Sequence, residues 1–222
     1  MNPFCPQAVI FDMDGLLVDS EPVWHFVESE MLQARGKSWE YTIQKDLIGL
    51  RMSDFWASMC SAYQLTETPD VLIAEATNRM VEAIPHKVVA RPGADELLAY
   101  FQKRDVPMAI ASSSPMAIID AVVESRGWAR YFQVWVSGDE VAHGKPAPDI
   151  YLETARRMNV APRDVLTLED SRNGARSAVA AGMICYAVPD PTHNSPTDFE
   201  GVTPHVFDSL HDVLKVLEPH CV

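Results

Sequence analysis

Four short apolar runs, each stopped by a turn or a helix-starting signal, constrain the fold of this chain more than any other feature. They are Ala8 to Phe11, Val106 to Ala111, Val165 to Leu168 and Ile184 to Val188. Continuous apolar runs of this length read as strands buried on both faces. Val134 to Val136 is a further short candidate. Amphipathic helical patterns lie between them, near Gly93 to Lys103, Pro115 to Arg126, Asp149 to Met158, Ser171 to Ala181 and Ser209 to Leu217. Strands alternating with helices imply βαβ units, and so an α/β fold with a doubly wound parallel sheet.

The stretch from Leu17 to Lys87 breaks that alternation. It shows only helical pattern, at Pro22 to Gln33, Thr42 to Leu47, Ser53 to Tyr63 and Pro69 to Ala83. Four helices are too many for one crossover, so an inserted all-helical domain is expected over residues 17–87. Residues 1–16 and 88–222 then form the α/β core. Pro189 to Pro204, rich in Pro, Thr, Asn, Asp and Ser, reads as a surface loop.

Composition narrows the partners. With 31 acidic against 18 basic residues the formal charge is −13. Nucleic acid and anionic membrane both require a basic face, so neither is expected. The cysteines, Cys5, Cys60, Cys185 and Cys221, show neither paired nor metal-site spacing and are expected as thiols. Met1 to Pro6 carries no basic segment ahead of an apolar stretch, and no run of about 18 apolar residues occurs. A soluble, cytoplasmic monomer is expected.

Open α/β sheets place their sites at the carboxyl ends of the strands. The first strand ends in Asp12 and Asp14, whose spacing of two lets both side chains face one side of an extended backbone. The second ends in Ser112-Ser113-Ser114, and the run from Val165 ends in Glu169-Asp170-Ser171. Lys145 stands in the turn Gly144-Lys145-Pro146. Converging carboxylates repel one another, and a divalent cation preferring oxygen, most simply Mg²⁺, resolves the repulsion. A carboxylate can then attack phosphorus while a second acid serves the leaving group and the water. Ser112 and neighbouring N–H groups can hold phosphoryl oxygens, and Lys145 can offset charge.

The same residues resemble the motifs of the haloacid dehalogenase superfamily. Phe11-Asp12-Met13-Asp14-Gly15 through Glu21 resembles the first, Ala109 to Ser114 the second, Gly144-Lys145-Pro146 the third and Leu168-Glu169-Asp170-Ser171 the fourth. The motifs stand in family order, and the resemblance spans essentially the whole chain. It implies Asp12 as nucleophile, Asp14 as acid and base, and Lys145 as stabiliser of the charged centre. It further implies Mg²⁺ held by Asp12, the Asp14 carbonyl and Asp170, and phosphate held by Ser112 and Ser113. The helical insert would be the family's small cap. Residues 14 to 24 are similar to hexose and hexitol phosphate phosphatases, and also resemble β-phosphoglucomutase. That mutase has a cap histidine where Trp24 stands, and His25 is one place, or about 100°, away. A phosphatase of small phosphorylated metabolites, most simply sugar or sugar-alcohol phosphates, is therefore expected, with a mutase or a phosphoglycolate phosphatase as alternatives. Asp14 argues against the family's dehalogenases and phosphonate hydrolases.

Within the insert, Glu21 and Arg51 are the residues expected to touch substrate, with Arg79 a weaker candidate. The tryptophans, including Trp24 and Trp39, are expected in packing, and His25, His86 and His143 in structural roles. Glu169 reads equally as a supporting or a structural residue. A phospho-accepting regulatory domain would also combine acids, a hydroxyl and a lysine, but such domains run to about half this length and lack the insert. Neither a G-x-G-x-x-G nor a G-x-x-x-x-G-K-[ST] sequence occurs, which disfavours the dinucleotide and P-loop readings.

Overall fold

The computed structural model describes residues 6–217 apart from 45, 46, 48, 49, 192 and 193. The chain opens with β1 (Ala8–Phe11), then a two-residue strand β2 (Val18–Asp19). Four helices follow, α1 (Glu21–Ala34), α2 (Tyr41–Gln44), α3 (Met52–Tyr63) and α4 (Pro69–Lys87). A second short strand, β3 (Val89–Ala90), returns the chain to α5 (Ala94–Gln102), β4 (Met108–Ser112) and α6 (Met116–Arg126). The remainder is β5 (Phe132–Ser137), α7 (Asp149–Met158), β6 (Val165–Glu169), α8 (Arg172–Ala180), β7 (Ile184–Ala187) and α9 (Leu210–Leu217).

Five strands form one parallel sheet in the order β5-β4-β1-β6-β7. The chain winds outward from β1 through β4 to β5, then crosses to β6 and β7, so the order reverses at β1. Side chains alternate across the sheet, as period two requires. Val9, Phe11, Met108, Ile110, Leu166 and Leu168 face α5, α6 and α9. Ala8, Ile10, Ala109 and Ala111 face the other way, towards Ile150 and Tyr151 of α7 and Ala175 and Ala178 of α8. Phe11 meets Phe101 and Phe132 edge-on, each with centroids 6.1 Å apart.

The expected α/β class is the observed one. Helix α4 runs one turn past its expected end and passes through Pro85. Proline deprives the helix of one amide donor, but Ile84 is buried and the Val88 N–H still reaches the Ile84 carbonyl. Tertiary packing holds the turn. Helix α4 packs against α1, α3 and the core helix α6. The two chain crossings between helices and sheet are zipped by antiparallel pairing of Val18 with Ala90 and Asp19 with Val89. The segment from Pro189 is not wholly a surface loop: Phe199 is fully buried beneath a short turn, packed with the α8 face of the sheet. Cys60 and Cys185 are free thiols, while Cys5 and Cys221 lie outside the described residues. Among the described residues no helix is long and apolar enough to cross a membrane.

Candidate active site

The site is built at the strand ends where the order reverses. Asp12 follows β1 directly, and its N–H donates to the Leu168 carbonyl at 3.0 Å, carrying the β1–β6 ladder one residue beyond the strand. The chain then turns sharply, with the Gly15 N–H donating to the Val18 carbonyl. Gly15 has φ +79°, and a Cβ there would lie 2.2 Å from an Asp170 carboxylate oxygen. Only glycine lets the turn pass so close to that acid. The Arg91 guanidinium fastens the turn from outside, donating to the Gly15 carbonyl at 2.8 Å and pairing with the buried Asp190.

Lys145 is the electrostatic hub. Its ammonium is buried and spends its donors on Asp12 Oδ1 at 2.7 Å, Glu169 Oε1 at 2.6 Å and the Ala111 carbonyl at 3.2 Å. Burial disfavours its charge, but the two carboxylates more than offset that and push its pKa up. Glu169 is anchored in turn by the Tyr151 hydroxyl and by the backbone and hydroxyl of Ser171. Helix α8 passes directly over it: a Cβ on Gly174 would fall 1.9 Å from Glu169 Oε1. Glu169 is thus a buried strut that positions Lys145. Tyr151, which holds it, carries no signal of that contact in the sequence.

Asp14 sits in a collar of hydroxyls. It accepts from Ser20 Oγ at 2.6 Å, Ser112 Oγ at 3.1 Å and Ser114 Oγ at 2.8 Å, with the Trp24 indole N–H at 3.5 Å. Ser20 precedes α1 but does not cap it, because its hydroxyl is committed to Asp14. Ser171 does cap α8, accepting from the Gly174 N–H at 3.1 Å, and so leaves Asp170 free of that duty.

Asp12, Glu169 and Asp170 bring carboxylate oxygens within 4.8 Å of one another. Burial, with Glu169 and Asp14 adding, pushes Asp12 up to about 7 even though Lys145 pulls it down. Burial and the neighbouring acids push Asp170 well above the usual carboxylate range. Among the described residues its carboxylate accepts no hydrogen bond, although it is 6% exposed. A buried, unbonded carboxylate beside a second one is a donor set that fits a divalent cation with oxygen preference. Glu169 is already committed to Lys145, Tyr151 and Ser171, which leaves Asp12 and Asp170 as the side chains for an ion.

These groups open into a cavity of about 430 Å³. Asp12, Asp14, Ser112, Ser113, Lys145 and Asp170 form its floor, while Glu21, Trp24, His25, Glu28, Trp39 and Phe55 are among its walls. The structure therefore brings together every expected site residue except Arg51. That guanidinium is bound to Asp54 at 2.7 Å and to the Ala142 carbonyl at 3.2 Å, off the cavity wall, where it ties α3 to the loop before Lys145. Arg79 likewise pairs with Glu30 and Glu75 on the helical face. Trp24, Trp39 and His25, expected in structural roles, stand on the cavity wall instead.

A reversing parallel sheet with acids at the ends of β1 and β6, a lysine between them and hydroxyls at the end of β4 defines a hydrolase of one class. Residues 6–182 match the haloacid dehalogenase-like hydrolase family, and the chain belongs to it. It is 33% identical over 95% of its length to an Arabidopsis thaliana bifunctional riboflavin kinase/FMN phosphatase, of which it spans 53%. It is 31% identical over 85% of its length to hexitol phosphatase B of Escherichia coli K12, spanning 86% of that protein. A CbbY variant from Rhodobacter sphaeroides, solved with xylulose-(1,5)bisphosphate, superposes with a TM-score of 0.85 at 26% identity, covering 96% of this chain and 99% of that one. The chain is an enzyme of the phosphoric monoester hydrolase class.

Proposed function

We propose that the protein hydrolyses small phosphorylated metabolites, most simply sugar or sugar-alcohol phosphates, by way of a phospho-aspartate on Asp12. The observation that carries this reading is the asymmetry of Asp12. Lys145 holds Oδ1, and the other oxygen accepts no hydrogen bond among the described residues, on the floor of the cavity. Oriented in this way, that oxygen attacks phosphorus, and the P–O bond to the leaving alcohol breaks. Asp14, carrying a proton, gives it to the departing oxygen. It then takes a proton from the water that cleaves the acyl phosphate, and Asp12 returns as carboxylate. Its serine collar and Trp24 aim it throughout.

Asp12, the Asp14 carbonyl and Asp170 would hold Mg²⁺, which when bound neutralises phosphoryl charge and the repulsion among the acids. Ser112 and Ser113 would receive phosphoryl oxygens, Ser112 by turning its hydroxyl from Asp14. Glu21 would meet the leaving group from the α1 side. Residues 17–87 would act as a cap whose wall excludes water, with Arg51 fastening it to the core rather than touching substrate.

The test is phosphate release from p-nitrophenyl phosphate and from a panel of hexose, hexitol and short-chain phosphates, with Mg²⁺ and with chelator. Turnover that needs Mg²⁺, ceases in EDTA and is inhibited by Ca²⁺ is expected. The larger ion takes more oxygens and would compete for the Asp12 oxygen that attacks. Full activity in chelator would overturn the metal assignment.

A further inference from the structure

One face of α1 forms a ladder up the cavity wall. Glu21, Trp24, His25 and Glu28 are spaced i, i+3, i+4 and i+7, and all four line the cavity. The ladder starts at the reaction centre, since Ser20 and Trp24 both bond Asp14. Glu28 is seven residues beyond Glu21, roughly 10 Å further along the helix axis. Trp39 faces it from the segment after α1, with the His25 ring packed edge-on at 4.3 Å between centroids.

Two features of this upper end point to a ligand. The Trp39 indole N–H is buried and makes no hydrogen bond among the described residues. It leans on the Glu28 carboxyl, whose charged form it favours, without reaching full hydrogen-bond geometry. A buried donor left unbonded is costly, and unlike the buried Trp56 indole this one stands on the cavity wall. Beside it, burial and the Glu21 charge push Glu28 up to about 8. This direction favours the protonated carboxyl, which both donates and accepts. A hydroxyl has one donor and two acceptor sites. Placed between the two side chains, it accepts from the indole and exchanges a hydrogen bond with the acid. Trp24, Tyr41, Met52 and Phe55 also line the cavity, apolar surface suited to the C–H face of a carbon chain.

We propose that Glu28 and Trp39 form a hydroxyl-reading subsite that selects phosphate esters whose leaving group is a polyhydroxylated chain of five or six carbons. Resting on the phosphatase reading above, it adds the residues that set the substrate's length. A two- or three-carbon ester bound at Asp12 stops short of Glu28, whereas a hexitol or hexose phosphate reaches it.

The experiment compares kcat/KM for sorbitol 6-phosphate with that for p-nitrophenyl phosphate, which has no sugar hydroxyls, in the full chain with Mg²⁺. In Glu28→Leu and in Trp39→Phe the ratio should fall by about tenfold or more, chiefly through KM for the hexitol ester. Glu28→Gln, which keeps a donor and an acceptor, should hold the ratio within about threefold. A ratio unmoved in both deletion variants, or lost equally in Glu28→Gln, overturns the subsite. Wild-type turnover of p-nitrophenyl phosphate with none of any hexose or hexitol phosphate overturns it too, while leaving the phosphatase chemistry standing. Calorimetric binding of sorbitol 6-phosphate separates the remaining failures. Binding weakened by Trp39→Phe in a protein without turnover overturns the phosphatase reading alone; binding indifferent to both deletion variants overturns the subsite.

Discussion

Asp12 is held where its charge is least comfortable, buried among acids with one lysine in compensation. In the proposed mechanism Lys145 holds one Asp12 oxygen and leaves the other to attack. Asp12→Asn keeps the shape and the acceptor for Lys145 but removes the attacking carboxylate. Its kcat should drop at least about a thousandfold, with an unchanged circular dichroism spectrum. A tenth of wild-type activity would show that another group attacks. Glu28 supplies a pH signature of a different kind. Burial, with Glu21 adding, raises it from 4.5 to about 8, so between those values the folded protein holds a proton that the unfolded chain has released. The resulting stabilisation is complete below pH 4.5 and is lost as the pH rises through 8. Glu28→Gln does not titrate, so wild type should lose stability relative to it from pH 5 to pH 8. Glu28 is half-buried, so a change on the order of 2 kcal/mol is expected rather than the full shift. Denaturant midpoints of both proteins across that range measure it, and parallel curves would show that Glu28 titrates normally.

Helix α8 crosses the site with Gly174 laid directly on the Glu169 carboxylate. Gly174→Ala would ordinarily favour a helix by about 1 kcal/mol. Here the added methyl overlaps a buried carboxylate that positions Lys145, so either α8 lifts or Glu169 shifts. A net loss of about 2–4 kcal/mol is expected, together with lower kcat, measured by thermal unfolding and steady-state kinetics. A stabilised variant would mean that the strut can yield. The sequence shows why some elements are legible and others are not. Strands of the parallel sheet are buried on both faces and announce themselves as unbroken apolar runs. β2 and β3 have two residues each, too few for any period, and exist because the crossings must be joined. The strand-end rule found the floor of the cavity, because topology alone puts Asp12, Ser112 and Asp170 at neighbouring ends. It could not find Tyr151 or Asp190, whose partners are distant in the chain. The α1 wall lay in between. Glu21 lines the cavity as expected, and the helical period puts Trp24, His25 and Glu28 on the same face of α1.

At the scale of the whole molecule, the fate of the phosphoryl group depends on what the helical layer allows to reach Asp12. A mutase must exclude water and return the group to a sugar hydroxyl, so its phospho-aspartate must persist. A phosphatase needs water to enter once the alcohol has left, with Asp14 free to activate it. Two features of the wall bear on this choice. Trp24, which bonds Asp14, can donate a hydrogen bond but cannot shuttle a proton. His25, which can, lies on the cavity wall one residue further on, against Trp39 rather than against Asp14. In the proposed mechanism Asp14 is then the proton carrier at the leaving oxygen, and it would serve water as readily as alcohol. Phosphate release from hexose 6-phosphates should exceed conversion of β-glucose 1-phosphate to glucose 6-phosphate by at least about tenfold, even with a bisphosphate primer. A glucose-6-phosphate dehydrogenase coupled assay beside a phosphate assay on the same preparation makes the comparison. Isomerisation running tenfold ahead of phosphate release would mean that the helical layer shields the acyl phosphate from water and that the protein is a mutase.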